Sequence, residues 1–144
     1  MSECLLVGID NSDCSRRAFN FACKRAKSAA ARLVVVYVIE WSPYTFNTPE
    51  ENEERHKRRE EEITRANESV LDPVLKQLND AGIDGSGIVR HGNVAEVLNG
   101  LAAESGADQI IVGRIGESGL KSLLFGSVAT KLVQLSTVPV TVVP

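Results

Sequence analysis

Leu33-Val34-Val35-Val36-Tyr37-Val38-Ile39 carries no charge and shows no alternation of polar and apolar residues. A strand of this kind needs cover on both faces, which is the situation of a parallel sheet held between helices. Gln109-Ile110-Ile111-Val112 reads the same way. Outward from these two, Cys4–Ile9, Gly87–His91 and Val138–Val143 are further short strands. Helical periods fill the gaps. Ser15 to Ala31 puts Phe19, Ala22, Cys23 and Ala26 on one face, and Val94 to Ser105 carries Val94, Val97, Leu98, Leu101 and Ala102 at i, i+3, i+4, i+7 and i+8. Gly106 follows as a C-terminal stop. Ser127 to Leu135 repeats the pattern with Val128, Leu132 and Leu135. Strands alternating with amphipathic helices predict an α/β three-layer sandwich around a parallel sheet, with right-handed crossovers.

The stretch from Trp41 to Pro49 is aromatic, proline-containing and irregular, and reads as a loop. The charged run Glu50 to Glu62 follows, with Glu51/Arg55, Glu53/Lys57 and Glu54/Arg58 spaced as i,i+4 pairs in the favourable order. It reads as a solvated helix. Its apolar stripe then runs through Ile63, Ala66, Val70, Val74, Leu75 and Leu78, with Pro73 expected to kink or divide it and Gly82 to end it. In the last strand Pro139 has no N–H for a ladder, so that strand suits a sheet edge. An apolar edge invites pairing with another chain, and homodimerisation through it is the expectation.

The 144 residues amount to one domain over 1–144, by the usual size of about 150 residues. Apolar residues make up 43% and charged residues 24%, which excludes collagen-like, disulfide-scaffold and wholly disordered chains. With 16 basic and 19 acidic residues the net charge is −3, which argues against general nucleic-acid binding. Cys4, Cys14 and Cys23 form no paired spacing and point to a reducing, cytoplasmic setting. His56 and His91 lie far apart, and no zinc spacing is present. The N-terminus reaches Asp10 too soon for a signal-peptide core, and no apolar run is long enough to span a membrane.

Ligands of parallel α/β sheets sit beyond the carboxyl ends of the strands, where strand order reverses. Gly8-Ile9-Asp10-Asn11-Ser12 and Val38-Ile39-Glu40 fall there. So does Gly113-Arg114-Ile115-Gly116-Glu117-Ser118-Gly119, with Gly126-Ser127 opening the final helix. The glycines bring bare N–H groups towards a ligand, and a helix N-terminus favours an anion. Ser127 either caps its helix or donates to a phosphate oxygen. The pattern is neither a Walker loop nor the dinucleotide fingerprint.

Gly113-x2-Gly116-x9-Gly126-Ser127 resembles the G-x2-G-x9-G-[ST] signature of the universal stress protein family, in its ATP-binding subgroup. The framing segments LLVGIDNS, YVIE, HGNVAEVL and TVPVTVVP extend the resemblance over essentially the whole chain. The resemblance implies a five-stranded parallel sheet of order 3-2-1-4-5, of the adenine nucleotide alpha hydrolase-like type. It implies an adenine nucleotide at the ends of strands one and four. Asp10 would face the ribose or a phosphate-bound metal, and Val38 would meet the adenine edge. Val112 and Gly113 would flank the nucleotide, with Gly113 close to the ribose. Gly116, Gly126, Ser127 and Val128 would hold phosphates. Relatives often carry a small polar residue where this chain has Arg114, which either reaches a phosphate or lies on the surface. Gly8 stands where a bulkier residue would pack on adenine.

The resemblance implies an ATP-binding regulator or sensor of stress, with Mg²⁺ carried on the phosphates, acting on a protein partner not named by the sequence. The absence of a Walker lysine and of an evident nucleophile–base pair argues against a turnover enzyme. The alternatives are a slow metal-dependent ATP hydrolase and a nucleotide-free interaction module. His91 reads as a structural or solvated residue, Cys14 as an inert thiol, and Ser12 or Asp13 as a helix cap.

Overall fold

The computed structural model describes residues 3–40, 48–116 and 126–144. Most of the Trp41–Pro49 stretch, and Glu117, Ser118 and Gly119 of the glycine-rich loop, lie outside these residues. The elements run in the order β1 (Cys4–Ile9), α1 (Asp13–Ala29), β2 (Arg32–Glu40), α2 (Pro49–Ala66), a π-helical turn (Asn67–Leu71), α3 (Asp72–Asp80), β3 (Gly85–Gly92), α4 (Val94–Ser105), β4 (Gln109–Gly113), α5 (Ser127–Leu135) and β5 (Val140–Val143). The five strands form one sheet of order β3-β2-β1-β4-β5, and every pairing is parallel.

The apolar run that decides the fold divides between the two faces by the period of two. Leu33 and Val35 join the core under α1 and α3, with Tyr37 and Ile39 packed against it. Val34 and Val36 join the core under α4 and α5, with Val38 packed against it. β1 divides likewise, Leu5 and Val7 to one side and Cys4 and Leu6 to the other. Complete burial of Leu5, Leu6, Leu33 and Val35 leaves the central strands dry on both faces, as a continuous apolar run requires.

The break at Pro73 takes a specific form. A proline clashes with the carbonyl four residues earlier, so the chain widens into a π turn before Pro73 enters the first turn of α3. The inserted residue shifts the helical phase. The buried position is therefore Leu71, fully covered, instead of the expected Val70. The expected last strand is also shorter: β5 begins at Val140, because Pro139 contributes only its carbonyl, which accepts from Ile110 N–H at 3.0 Å. On α2, Glu54 and Arg58 pair at 3.6 Å, while Glu51 turns back to complete a capping box with Thr48. Nearly all side chains of the first two turns of α2 are exposed, as expected of a solvated helix. Among the described residues no helix is long and apolar enough to cross a membrane.

Candidate functional site

The chain lays β2 and β3 on one side of β1, then crosses to β4 and β5 on the other. Strand order therefore reverses between β1 and β4, and a cleft opens there at the carboxyl ends. Its volume is about 500 Å³, within the usual range for small-molecule sites. Three features of the sequence keep it open.

First, β2 outruns β1. The β1 register ends at Ile9 opposite Tyr37, whereas Val38, Ile39 and Glu40 continue only against β3. One wall of the cleft is thus the edge of β2 past the end of its neighbour. Second, Gly8 lacks a side chain where a Cβ would lie 2.8 Å from Leu98 Cδ1. The base of the cleft can therefore be formed by Val36, Val94, Leu98 and Val112. Third, glycines hold the far end together. A Cβ on Gly113 would meet the carbonyl carbon and Cβ of Cys14 at 2.8 Å, and one on Gly126 would come within 3.3 Å of Gly116 N and Arg114 O. Only hydrogen side chains let β4, α1 and the start of α5 approach this closely.

The two ends differ in chemistry. Towards β2 and α4 the lining is largely apolar, with Glu40 at the end of β2. Towards α5 it is backbone: Gly113, Gly116, Gly126, Ser127, Val128 and Ala129. Gly126 is the N-cap of α5, with no side-chain cap. Thr130 N–H closes the first helical bond onto Gly126 O, so the N–H groups of residues 127–129 precede the ladder and meet the positive end of the helix dipole. Ser127 is therefore not the cap. It occupies the first helical position with its side chain exposed.

Asp10 stands between the two ends, immediately after β1. Its backbone N–H donates to Ser15 Oγ at 2.7 Å. Its Oδ1 accepts from Ser12 N–H at 2.8 Å and from the Ser12 hydroxyl at 2.5 Å. Its Oδ2 faces Gly116, lying 3.1 Å from where a Cβ would project.

Of the residues singled out from the sequence, Asp10, Val38, Val112, Gly113, Gly116, Gly126, Ser127 and Val128 all line this cleft. Arg114 does not line it. Its backbone instead ties two elements together: its N–H donates to Val143 O and its carbonyl accepts from Gly126 N–H, both at 2.7 Å. Its Nε is buried, with no hydrogen-bond partner among the described residues. His91 turns away to α2, where Nε2 lies 2.9 Å from Glu62 Oε2, and its side chain is only 10% exposed. Cys14 is buried, with its sulfur accepting from Arg17 at 3.2 Å. Burial pushes the Cys4 and Cys23 thiols above their ordinary range. The lining residues not singled out from the sequence are chiefly Val94 and Leu98 of α4 and Ser15 of α1. Helical spacing marked Val94 and Leu98 as core, and Leu98 is indeed buried there, with Val94 packed against it; that both also line the cleft was not legible.

Comparison with known proteins accounts for this arrangement. The universal stress protein family matches residues 1–144. The chain belongs to the universal stress protein family. Universal stress protein YxiE of Bacillus subtilis is 32% identical over 148 residues, covering 96% of this chain and 97% of the relative. The solved structure of MJ0577, a universal stress protein of Methanocaldococcus jannaschii, superimposes with a TM-score of 0.82 at 25% identity, covering 99% of this chain and 96% of that one. A universal stress protein in complex with cAMP superimposes with a TM-score of 0.69 at 24% identity, covering 99% and 96%.

Proposed function

We propose that this chain binds an adenine nucleotide, ATP carrying Mg²⁺, in the cleft between β1 and β4, and that occupancy makes it a regulator or sensor in a stress response. The observation that carries this reading is the two-ended cleft. A largely apolar slot at β2 and α4 suits a flat base, and the N–H groups opening α5, which have no partner among the described residues, suit phosphate oxygens. The solved relative holding cAMP supports an adenine nucleotide as the ligand class. Mg²⁺ binds through one or two carboxylates together with phosphates, and Asp10 is the carboxylate placed beside the amide end. Bound phosphates would order the start of α5, which Arg114 connects to β5. Nucleotide occupancy would in this way alter the surface offered to a protein partner. Free thiols at Cys4, Cys14 and Cys23 support a reducing, cytoplasmic setting.

The test is calorimetric titration of the purified protein with ATP and Mg²⁺, with mass spectrometry of any small molecule released on denaturation. Gly126→Leu places a side chain against Gly116 N and Ile115. It is expected to abolish binding while leaving a cooperative unfolding transition. An unaltered protein that neither retains nor takes up nucleotide overturns the proposal, and the same affinity in Gly126→Leu removes the phosphate end from it.

A further inference from the structure

α1 and α2 both present charged faces to solvent, and the two faces differ in kind. On α2, acids and bases fall four apart and pair within the helix, as Glu54 and Arg58 do at 3.6 Å. On α1, Arg16, Arg17, Lys24, Arg25 and Lys27 stand against Asp13 alone, although the chain as a whole is −3. All five basic residues are exposed. Arg16 takes Asp13 at 2.6 Å, and Arg25 reaches Glu3 only at 3.7 Å. Beyond Asp13 the helix holds no carboxylate. Lys24 and Lys27 therefore face each other one turn apart with no acid of their own helix between them, an arrangement that costs helix stability.

Phe21 sits inside this basic face. It is 41% exposed, the one exposed aromatic side chain among the described residues. By the helical period its neighbours are Arg17, Lys24 and Arg25, at i−4, i+3 and i+4. On the opposite side Ala18, Ala22 and Ala26 are buried against the sheet, so the face is held rigid before any partner arrives. Aromatic and arginine side chains are the types enriched where proteins meet.

The chemistry of the occupant follows. It must bring carboxylates to the basic residues and an apolar side chain to Phe21. A second copy of this chain brings one or the other. The first turns of α2 are acidic without an exposed large apolar side chain, and Val133 and Leu135 lie on α5, a helix without a carboxylate. Pairing across a two-fold axis would set the basic face against itself. A bilayer or a long nucleic acid extends past α1 and meets the acidic remainder of the chain. A peptide segment does not, because Arg17 to Lys27 spans about 15 Å. We propose that the outer face of α1 docks a different protein through an acidic segment whose carboxylates surround an apolar side chain, with Phe21 as the anchor. The inference rests on this surface and not on the nucleotide reading, and failure to bind nucleotide leaves it standing.

The probe is a random peptide library displayed on phage and selected against the immobilised protein. The most enriched peptide is synthesised with a fluorescent label, and its affinity is read by anisotropy. Selected peptides are expected to carry Asp or Glu on both sides of an aromatic or aliphatic residue. Phe21→Ser should weaken binding by about tenfold or more, as loss of an anchor does. Lys24→Glu should weaken it by about tenfold and flatten its dependence on salt. Both positions are exposed, so the urea midpoint should not move. Lys57→Glu, a charge reversal at an exposed position of α2, should leave the affinity unchanged. A selection that returns no peptide, or peptides without enriched carboxylates, overturns the proposal. Unchanged affinity in Phe21→Ser or Lys24→Glu does so too, as does equal weakening by Lys57→Glu, which would reduce the effect to net charge. Sedimentation of Phe21→Ser should match the unaltered protein; a change of oligomeric state would make the face a contact between copies and overturn the proposal. Tighter binding of an oligouridylate or of phosphatidylserine vesicles than of the selected peptide would overturn it in favour of those partners.

Discussion

At the scale of single residues, the site depends on atoms that are missing. Gly113 sits against the backbone of Cys14, and a backbone neighbour cannot rotate away from an added methyl group. Gly113→Ala is therefore expected to destabilise the protein by about 3 kcal/mol, the upper end of overpacking costs, as read from urea unfolding. A loss well below that would mean that β4 and α1 are less tightly joined than the distances state. The opposite sign is expected at Ala30. It closes α1 with φ +51°, the one positive φ outside glycine among the described residues. A β-carbon is strained there, so Ala30→Gly should raise stability by about 0.5–1 kcal/mol in the same assay, and a decrease would refute it. The glycine spacing was legible in the sequence because a signature of glycines records close approach directly. The place of Arg114 was not, because a side chain's direction after the last residue of a strand depends on what packs around it.

At the scale of elements, equal caps have unequal consequences. Thr48 caps α2 and Asn93 caps α4, each accepting from the N–H three residues on, at 3.2 Å. The first turns of α2 are exposed, whereas α4 buries Ala95, Leu98, Leu101 and Ala102. Local fraying is thus separable from global unfolding at α2 and coupled to it at α4. Asn93→Ala should lower global stability by about 1 kcal/mol. Thr48→Ala should speed amide exchange near residue 52 and leave the urea midpoint unchanged. Equal midpoint shifts would contradict this difference. Element types and the ends of α4 and α5 could be read from periodicity alone. The π turn could not: a proline signals a break, but whether the chain kinks, divides or widens depends on which phase lets Leu71, Leu75 and Leu78 reach the sheet.

At the scale of the whole molecule, β5 is an edge whose other side the sheet leaves open. Pro139 and Val143 direct their carbonyls to β4, accepting from Ile110 and Arg114. Alternation along a strand then turns the backbone groups of Val140 and Val142 outward. Val133 on α5 is 59% exposed and Leu135 40%, and both belong to the helix that packs beside this edge. These observations support the homodimer expected from the apolar last strand. Val142→Pro removes an outward N–H and leaves the β4 ladder untouched. Sedimentation should find the unaltered protein dimeric and this variant monomeric at micromolar concentration, and a monomer in both would refute pairing through β5. By itself, the sequence determined the class of fold, because strands apolar on both faces alternate with amphipathic helices, and a parallel sheet between two helical layers covers both. It also determined which loops carry glycine. Only the tertiary structure decided that Val94 and Leu98 line a cleft as well as packing in the core, that His91 belongs to Glu62, and that Ser12 holds Asp10. These are relations between residues set by crossovers and register, and the hydrophobic period along one chain contains no record of which distant element arrives opposite.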